Sequence, residues 1–217
     1  NPAASFLYGV LDGLFGVSLK EGGACLKWSP AFPFEWSNTH LKLPWVNVDF
    51  LRGGLGKNLF VSFIVASDAS KALEFSSCLP PCRIVSVKEN GKEVSYSAAP
   101  ALNAVRISFS AKSALRHETA IEYEPVAVKF QGASSCKASQ ESFWKFSSAI
   151  RSVQDPQHLL AKFSVNGSTL SGTPASAARS GRLFVELESP NVFVPVELSI
   201  ESETASSPFA LKLYGEK

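Results

Sequence analysis

The sequence predicts a mainly β protein, a β-sandwich with at most one or two short helices. Three observations point there. Apolar residues recur with a period of two in several short runs, as in Val105, Ile107 and Phe109 against Arg106, Ser108 and Ser110. Two Asn-Gly pairs, Asn90-Gly91 and Asn166-Gly167, each stand between such runs, where a tight hairpin turn needs positive φ. Turn residues punctuate the chain so that about ten strand-length segments follow one another, the spacing of a sandwich.

The chain has 217 residues, enough to bury a sizeable core. Hydrophobic residues make up 45% and charged residues only 18%, which excludes a disordered chain. A net charge of +2, with no run of three basic residues, gives no field for nucleic acid. No apolar run reaches the ~18–20 residues of a membrane-spanning helix.

Ser5 to Lys20, SFLYGVLDGLFGVSLK, is a strongly apolar opening segment. Its odd positions, Leu7, Gly9, Leu11, Gly13, Phe15, Val17 and Leu19, carry no polar side chain, as a strand with one buried face would. Gly9, Gly13 and Gly16 also share one stripe of a helix, at a cost of roughly 0.8–1 kcal/mol per glycine, so the strand is the favoured reading. Glu21-Gly22-Gly23 reads as a flexible joint. The expected organisation is therefore a detachable segment, residues 1–23, and a sandwich domain, residues 24–217.

Residues 25–50 hold Trp28, Phe32, Phe34, Trp36, Trp45 and Phe50 among three prolines. Core packing is one reading. The other is an aromatic platform for a sugar or protein partner, with Trp28, Trp36 and Trp45 as its candidates. Arg52-Gly-Gly-Leu-Gly-Lys57 lacks the Ser or Thr that a phosphate loop needs after its lysine. Leu59–Ala66, LFVSFIVA, should be a central strand buried on both faces. Ser67–Phe75 has room for a short helical turn.

Around Asn90-Gly91, a two-residue loop sets Glu89 opposite Lys92, Val87 opposite Val94 and Val85 opposite Tyr96. Pro125 should bend the strand Thr119–Phe130 or mark it as an edge strand, and Pro195 marks an edge or bulge within Val192–Glu201. Phe143, Phe146, Ile150 and Val153 are spaced by three and four, which predicts a helix over 142–153 before Asp155-Pro156. Leu160–Val165 and the residues after Asn166-Gly167 form a second hairpin. Gly181–Glu188, Val192–Glu201 and Pro208–Tyr214 complete the strands.

The string Asn166-Gly-Ser-Thr-Leu-Ser-Gly-Thr-Pro174, followed by Ser180-Gly-Arg-Leu-Phe-Val-Glu-Leu187, resembles extracellular immunoglobulin-like and cadherin-like modules. The resemblance covers roughly 25 residues and carries no catalytic residue. It makes an Ig-like or jelly-roll-type sandwich the expected fold. In layout, the opening segment and its glycine joint are similar to donor-strand-complemented pilus and filament subunits.

Candidate chemistry is sparse. Four cysteines, Cys25, Cys78, Cys82 and Cys136, fit an oxidising compartment and allow three pairings, of which Cys78–Cys82 with Cys25–Cys136 is the first choice. Asn1 without any methionine in the chain fits removal of a signal peptide, hence an extracellular or cell-surface setting. His40, His117 and His158 show no metal-binding spacing, and Arg116-His117-Glu118 reads as a solvated turn. Glu122 with Glu124, and Glu186 with Glu188, are carboxylate pairs on single strand faces. Asn166-Gly-Ser168 is a glycosylation acceptor. No cofactor, metal or catalytic site is expected.

The leading functional expectation is an extracellular subunit that polymerises by inserting its N-terminal strand into a neighbouring copy. The alternative is a secreted module that binds a glycan or a surface protein through the aromatic belt 28–50.

Overall fold

The computed structural model describes residues 9–55, 58–175 and 179–201, together with Ser5. Leu7 and the expected strand Pro208–Tyr214 lie outside the described residues. The protein is mainly β, as expected. The strands are β1 (Val17–Lys20), β2 (Cys25–Trp28), β3 (Asn38–Lys42), β4 (Val46–Leu55), β5 (Asn58–Leu79), β6 (Cys82–Glu89), β7 (Lys92–Glu93), β8 (Ser97–Ala101) and β9 (Ala104–Pro125). They continue as β10 (Phe130–Gly132), β11 (Ser135–Lys137), β12 (Ser142–Phe146), β13 (Ile150–Gln154), β14 (Leu160–Asn166), β15 (Thr169–Pro174), β16 (Arg179–Leu187) and β17 (Val192–Glu201).

The first nine strands belong to one sheet organised by two long strands, β5 and β9, of 22 residues each. Drawn straight, each would span about 70 Å. The register shows that they double over instead. Leu79 pairs with Val105 at one end of β9, and Cys82 pairs with Pro125 at the other. Only three peptide steps, at most about 11 Å, link Leu79 to Cys82, so with about 5 Å to each strand partner the two ends of β9 lie within about 20 Å, far less than the straight length of about 70 Å. The bend falls where β5 advances from Ala66 to Lys71 while its partner moves only from Arg116 to Ala114.

Two layers result. One contains β3, β4, the first half of β5, the second half of β9, β6 and β7. The other contains β1, β2, the second half of β5, the first half of β9 and β8. Between them runs a chain of ring contacts: Phe15–Phe32 at 5.3 Å, Phe32–Phe50 at 4.8 Å, Phe50–Phe63 at 5.2 Å, Phe63–Phe75 at 5.2 Å and Phe75–Phe109 at 5.1 Å. Trp28 meets Phe63 and Phe75 edge-on, each at 5.7 Å. Such tilted and edge contacts suit the ring quadrupoles and add to the burial of large apolar areas.

The remaining strands form a second sandwich of two four-stranded sheets, β10-β12-β15-β14 and β11-β17-β16-β13. Trp144, Leu170, Leu183, Val185 and Val196 fill it. It meets the first where Asn103 N–H donates to the Phe193 carbonyl at 2.9 Å. The buried apolar residues of all three sheets form one continuous cluster.

The Asn90-Gly91 turn matches its expectation. Both residues have positive φ, 49° and 76°, and Glu89 pairs with Lys92. Val94 N–H donates to Val87 O at 3.1 Å, but β7 has ended and Val85 is exposed. The second hairpin turns one residue later than expected, with Asn166 paired to Thr169 across Gly167 and Ser168. Pro125 ends β9. Pro195 lies where β17 pairs with β16 alone, because β11 reaches only residues 199–201.

Several expectations are corrected. Residues 142–153 are two strands in different sheets, not a helix. The spacing by three and four merges an exposed residue, Phe143, with inward-facing Phe146 and Ile150 across a chain crossing. Leu59–Ala66 is central but buried on one face, with Val61, Phe63 and Val65 inward and Phe60 exposed. Ser67–Phe75 holds the bend of β5 and no helix.

The opening segment is not one strand. Gly9–Phe15 is helical and Val17–Lys20 is β1, so its odd positions do not form a single face. Phe15 and Val17 are buried, Leu11 is half-buried, and Gly9, Gly13 and Leu19 are exposed. Nor is Gly22-Gly23 a loose joint. It closes the tight turn between β1 and β2, with φ of 66° and 97°.

Candidate functional site

All four cysteines are free thiols, so neither expected disulfide is formed. Topology separates the Cys25–Cys136 pair. Cys25 lies on β2 and Cys136 on β11, in different sandwiches, while Cys78 and Cys82 stand at the ends of strands in opposite layers. Burial pushes the Cys82 thiol up to about 12.

One carboxylate of each pair has a structural partner. Glu122 and Glu124 lie on the outer face of β9, and Glu124 accepts from Arg83 at 2.5 Å. Glu186 accepts from Ser152 Oγ at 2.6 Å, and Glu188 is exposed. Among the described residues, no group of three or more His, Cys, Asp or Glu is placed to hold a metal, and no helix is long and apolar enough to cross a membrane. A groove of about 490 Å³ crosses the outer face of β16 and β17, but its polar groups bind one another: Arg182 to Glu197 at 2.8 Å, Ser180 to Ser199 at 3.2 Å. Asn166 is exposed beside its hairpin turn, accessible to glycosylation.

The aromatic belt divides. Trp28 is wholly buried, and its Nε1–H donates to the Phe15 carbonyl at 3.1 Å, so it is a core residue and no platform. Trp45 is half-buried against the same core. Trp36 remains, 38% exposed, on the loop between β2 and β3. Its ring lies nearly parallel to Phe32, at 17° and 6.2 Å, and Phe32 is itself buried. One side of Trp36 thus rests on the core. Phe34, 42% exposed, stands two residues away.

This loop is held from beneath by Arg52 of β4. Its guanidinium donates to the carbonyls of Pro33, at 3.2 Å, of Phe34, and of Trp36, at 3.4 Å. The same cation lies 5.8 Å from the Phe34 ring centroid and 5.2 Å from that of Phe50. Arg52 N–H donates to Ser37 O at 2.7 Å. All three contacts come from one nitrogen, Nη1, whose two protons are shared among the converging carbonyls, while Nε is buried without a partner among the described residues. Two exposed aromatic side chains therefore sit on fixed backbone. The sequence showed the aromatics but not Arg52, whose contacts come from a strand far along the chain.

A second polar cluster lies inside the bend. His117, Thr119, Glu89 and Lys71 are all buried, and His117 is 1% exposed, not part of a solvated turn. Its Nδ1 lies 2.8 Å from Glu89 Oε1 and its Nε2 lies 2.8 Å from the Lys71 carbonyl. Thr119 Oγ1 donates to Glu89 Oε2 at 3.1 Å. Burial acts to lower the pKa of His117. The hydrogen bonds to Glu89 and to the Lys71 carbonyl, with the Glu89 charge, outweigh it and leave the pKa raised above 6.5. The other histidines are exposed; His40 pairs with Asp49 at 2.6 Å.

No model of a known protein family matches this chain, nor does any curated protein. Among solved structures, the chain is similar to a polysaccharide lyase, with 7% identity and a TM-score of 0.36 over 78% of this chain and 36% of that one. The chain thus spans about a third of that protein's length, and likeness at this level carries no argument about activity.

Proposed function

We propose that this chain is a recognition module that holds a carbohydrate against Trp36 and Phe34. The observation that carries the reading is the posture of Trp36: one side backed by the buried Phe32 ring, the ring still accessible, on a loop clamped by Arg52. The electron-rich face of an indole attracts the weakly positive C–H bonds of a sugar ring, while its apolar area favours a partner that is only partly hydrated there. A loop fixed in advance loses little entropy on binding. The formal net charge of only +2 supplies no strong field for a polyanion, so a neutral glycan is the ligand class we propose.

The polymerising-subunit reading needs a donor strand free to leave. Residues 14–20 are engaged in their own chain: β1 pairs with β2, Ala31 N–H donates to Leu14 O at 2.9 Å, and Ser29 N–H donates to Gly16 O at 2.8 Å. The geometry therefore supports binding better than assembly. The setting we propose is extracellular, consistent with the exposed acceptor Asn166.

Screening the protein against a panel of immobilised neutral glycans tests the reading. Trp36→Ala and Phe34→Ala should each lose signal on every glycan the parent binds, while the β signature in circular dichroism is kept. Binding that survives both substitutions contradicts it, as does capture of a protein ligand by this loop with no glycan bound.

A further inference from the structure

We propose that His117 and Glu89 form a pH-responsive clamp that closes the bend of the first sandwich and holds the β1–β2 turn against it, tight while the imidazole is protonated and looser once it is neutral. The geometry suits the charged ring beside an ionised Glu89. Both ring nitrogens face acceptors, a carboxylate and a carbonyl, each at 2.8 Å. Only imidazolium has a proton on each nitrogen, so a neutral ring leaves one acceptor in the cluster unsatisfied.

The clamp sits at a junction of three elements. Glu89 ends β6, His117 lies on β9, and Lys71 lies where β5 resumes its pairing after the bend. Lys71 carries the link onward. Its carbonyl accepts from His117, while its Nζ donates to Gly23 O at 3.1 Å, in the β1–β2 turn. The next residue, Ala72, donates its N–H to Ala24 O at 3.0 Å and begins the parallel pairing of β2 with β5. Loss of the His117–Lys71 bond therefore removes one of the contacts that hold the residue anchoring this turn, leaving its pairing with Ala114.

Lys71 Nζ also lies 3.7 Å from exposed Asp68. On β9, Arg116 and Glu118 point outward and pair with each other at 3.0 Å. On the β6–β7 hairpin, Lys92 is the strand partner of Glu89 and is exposed, and Lys88 alternates to the other face. Glu21, in the β1–β2 turn, is exposed. Within the buried cluster Glu89 is the charge that meets the ring.

Since the folded pKa of His117 is raised, the stabilisation is fully present below about pH 6.5 and fades as pH rises through the folded value. Hydrogen exchange over residues 21–26 and 66–73, corrected for intrinsic rates, should accelerate severalfold across that rise. Glu89→Gln keeps an acceptor but removes the charge, so the transition should move to lower pH. His117→Gln should abolish it, with His40 and His158 still present as controls. Nitrogen-15 spectra of the parent should show both His117 nitrogens protonated at pH 6. If His117→Gln does not fold, the Glu89→Gln shift and the spectra decide. A His117 ring with one proton at pH 6, or a pH response unchanged in Glu89→Gln, overturns the clamp.

Discussion

Trp28 Nε1 donates a hydrogen bond to the Phe15 carbonyl at 3.1 Å, and this contact stitches the opening segment to the centre of the first sandwich. Trp28 is wholly buried between Phe63 and Phe75, while Phe15 caps the same core from the segment's helical end. The apolar character of residues 5–20 is thus spent at least partly within its own chain. Phe15→Ala should cost about 3–5 kcal/mol, the usual range for emptying a buried phenylalanine site. Denaturant titration measures it. A change below 1 kcal/mol would mean that the segment is not docked.

Gly16 is a sharper probe of the same docking. Its φ is +60°, and a Cβ there would sit 2.0 Å from the Ser29 carbonyl oxygen. Backbone that must move apart also loses the Ser29 N–H to Gly16 O bond. Gly16→Ala should therefore destabilise by more than the ~1–3 kcal/mol of backbone strain alone. A neutral effect in thermal melts would contradict the described packing.

The intact chain should be monomeric by light scattering, and Leu11→Asp should lower its melting temperature without changing its size. Long species that disappear in Leu11→Asp would restore the polymerising reading.

Much of the first sandwich was legible because local chemistry decides it. Asn90-Gly91 fixes its hairpin through two positive φ values, and Val105, Ile107 and Phe109 alternate because one face is buried. The helix expected at 142–153 failed because inward residues of two short strands, separated by a sheet crossing, imitate helical spacing when Phe143 is counted with them. The opening segment failed differently. Alternation of apolar residues says nothing when glycine occupies alternate positions, and Gly16 instead turns the chain from helix into strand. Of the candidate site, Trp36 and Phe34 were visible as composition. Arg52 was hidden in a glycine-rich string, and the burial of His117 depends on the doubling of β5 and β9, which no local pattern encodes.

The cysteines give a test independent of packing energy. Under denaturing, non-reducing conditions all four should alkylate. In the folded protein at neutral pH, Cys82 should react far more slowly than a free thiol, since burial holds its pKa near 12 and leaves almost no thiolate. Mass spectrometry distinguishes these outcomes, and a chain that takes up fewer than four labels when unfolded would carry a disulfide.

Arg52→Lys separates the loop from the fold. Lysine keeps the charge but has a shorter reach to the carbonyls of Pro33, Phe34 and Trp36 and no guanidinium plane to lie against the Phe34 and Phe50 rings. Glycan affinity should fall at least several-fold while the β signature in circular dichroism is kept. Equal affinity in Arg52→Lys would show that the clamp has no part in recognition.

The most direct measurement is the indole N–H spectrum of the four tryptophans during titration with a glycan that the panel identifies. Trp28 and Trp144 are buried, Trp45 is half-buried, and Trp36 lies on the proposed surface. The account expects the Trp36 resonance to shift with the ligand, saturably, while the Trp28 and Trp144 resonances stay in place. A bound glycan that leaves Trp36 unmoved would contradict it.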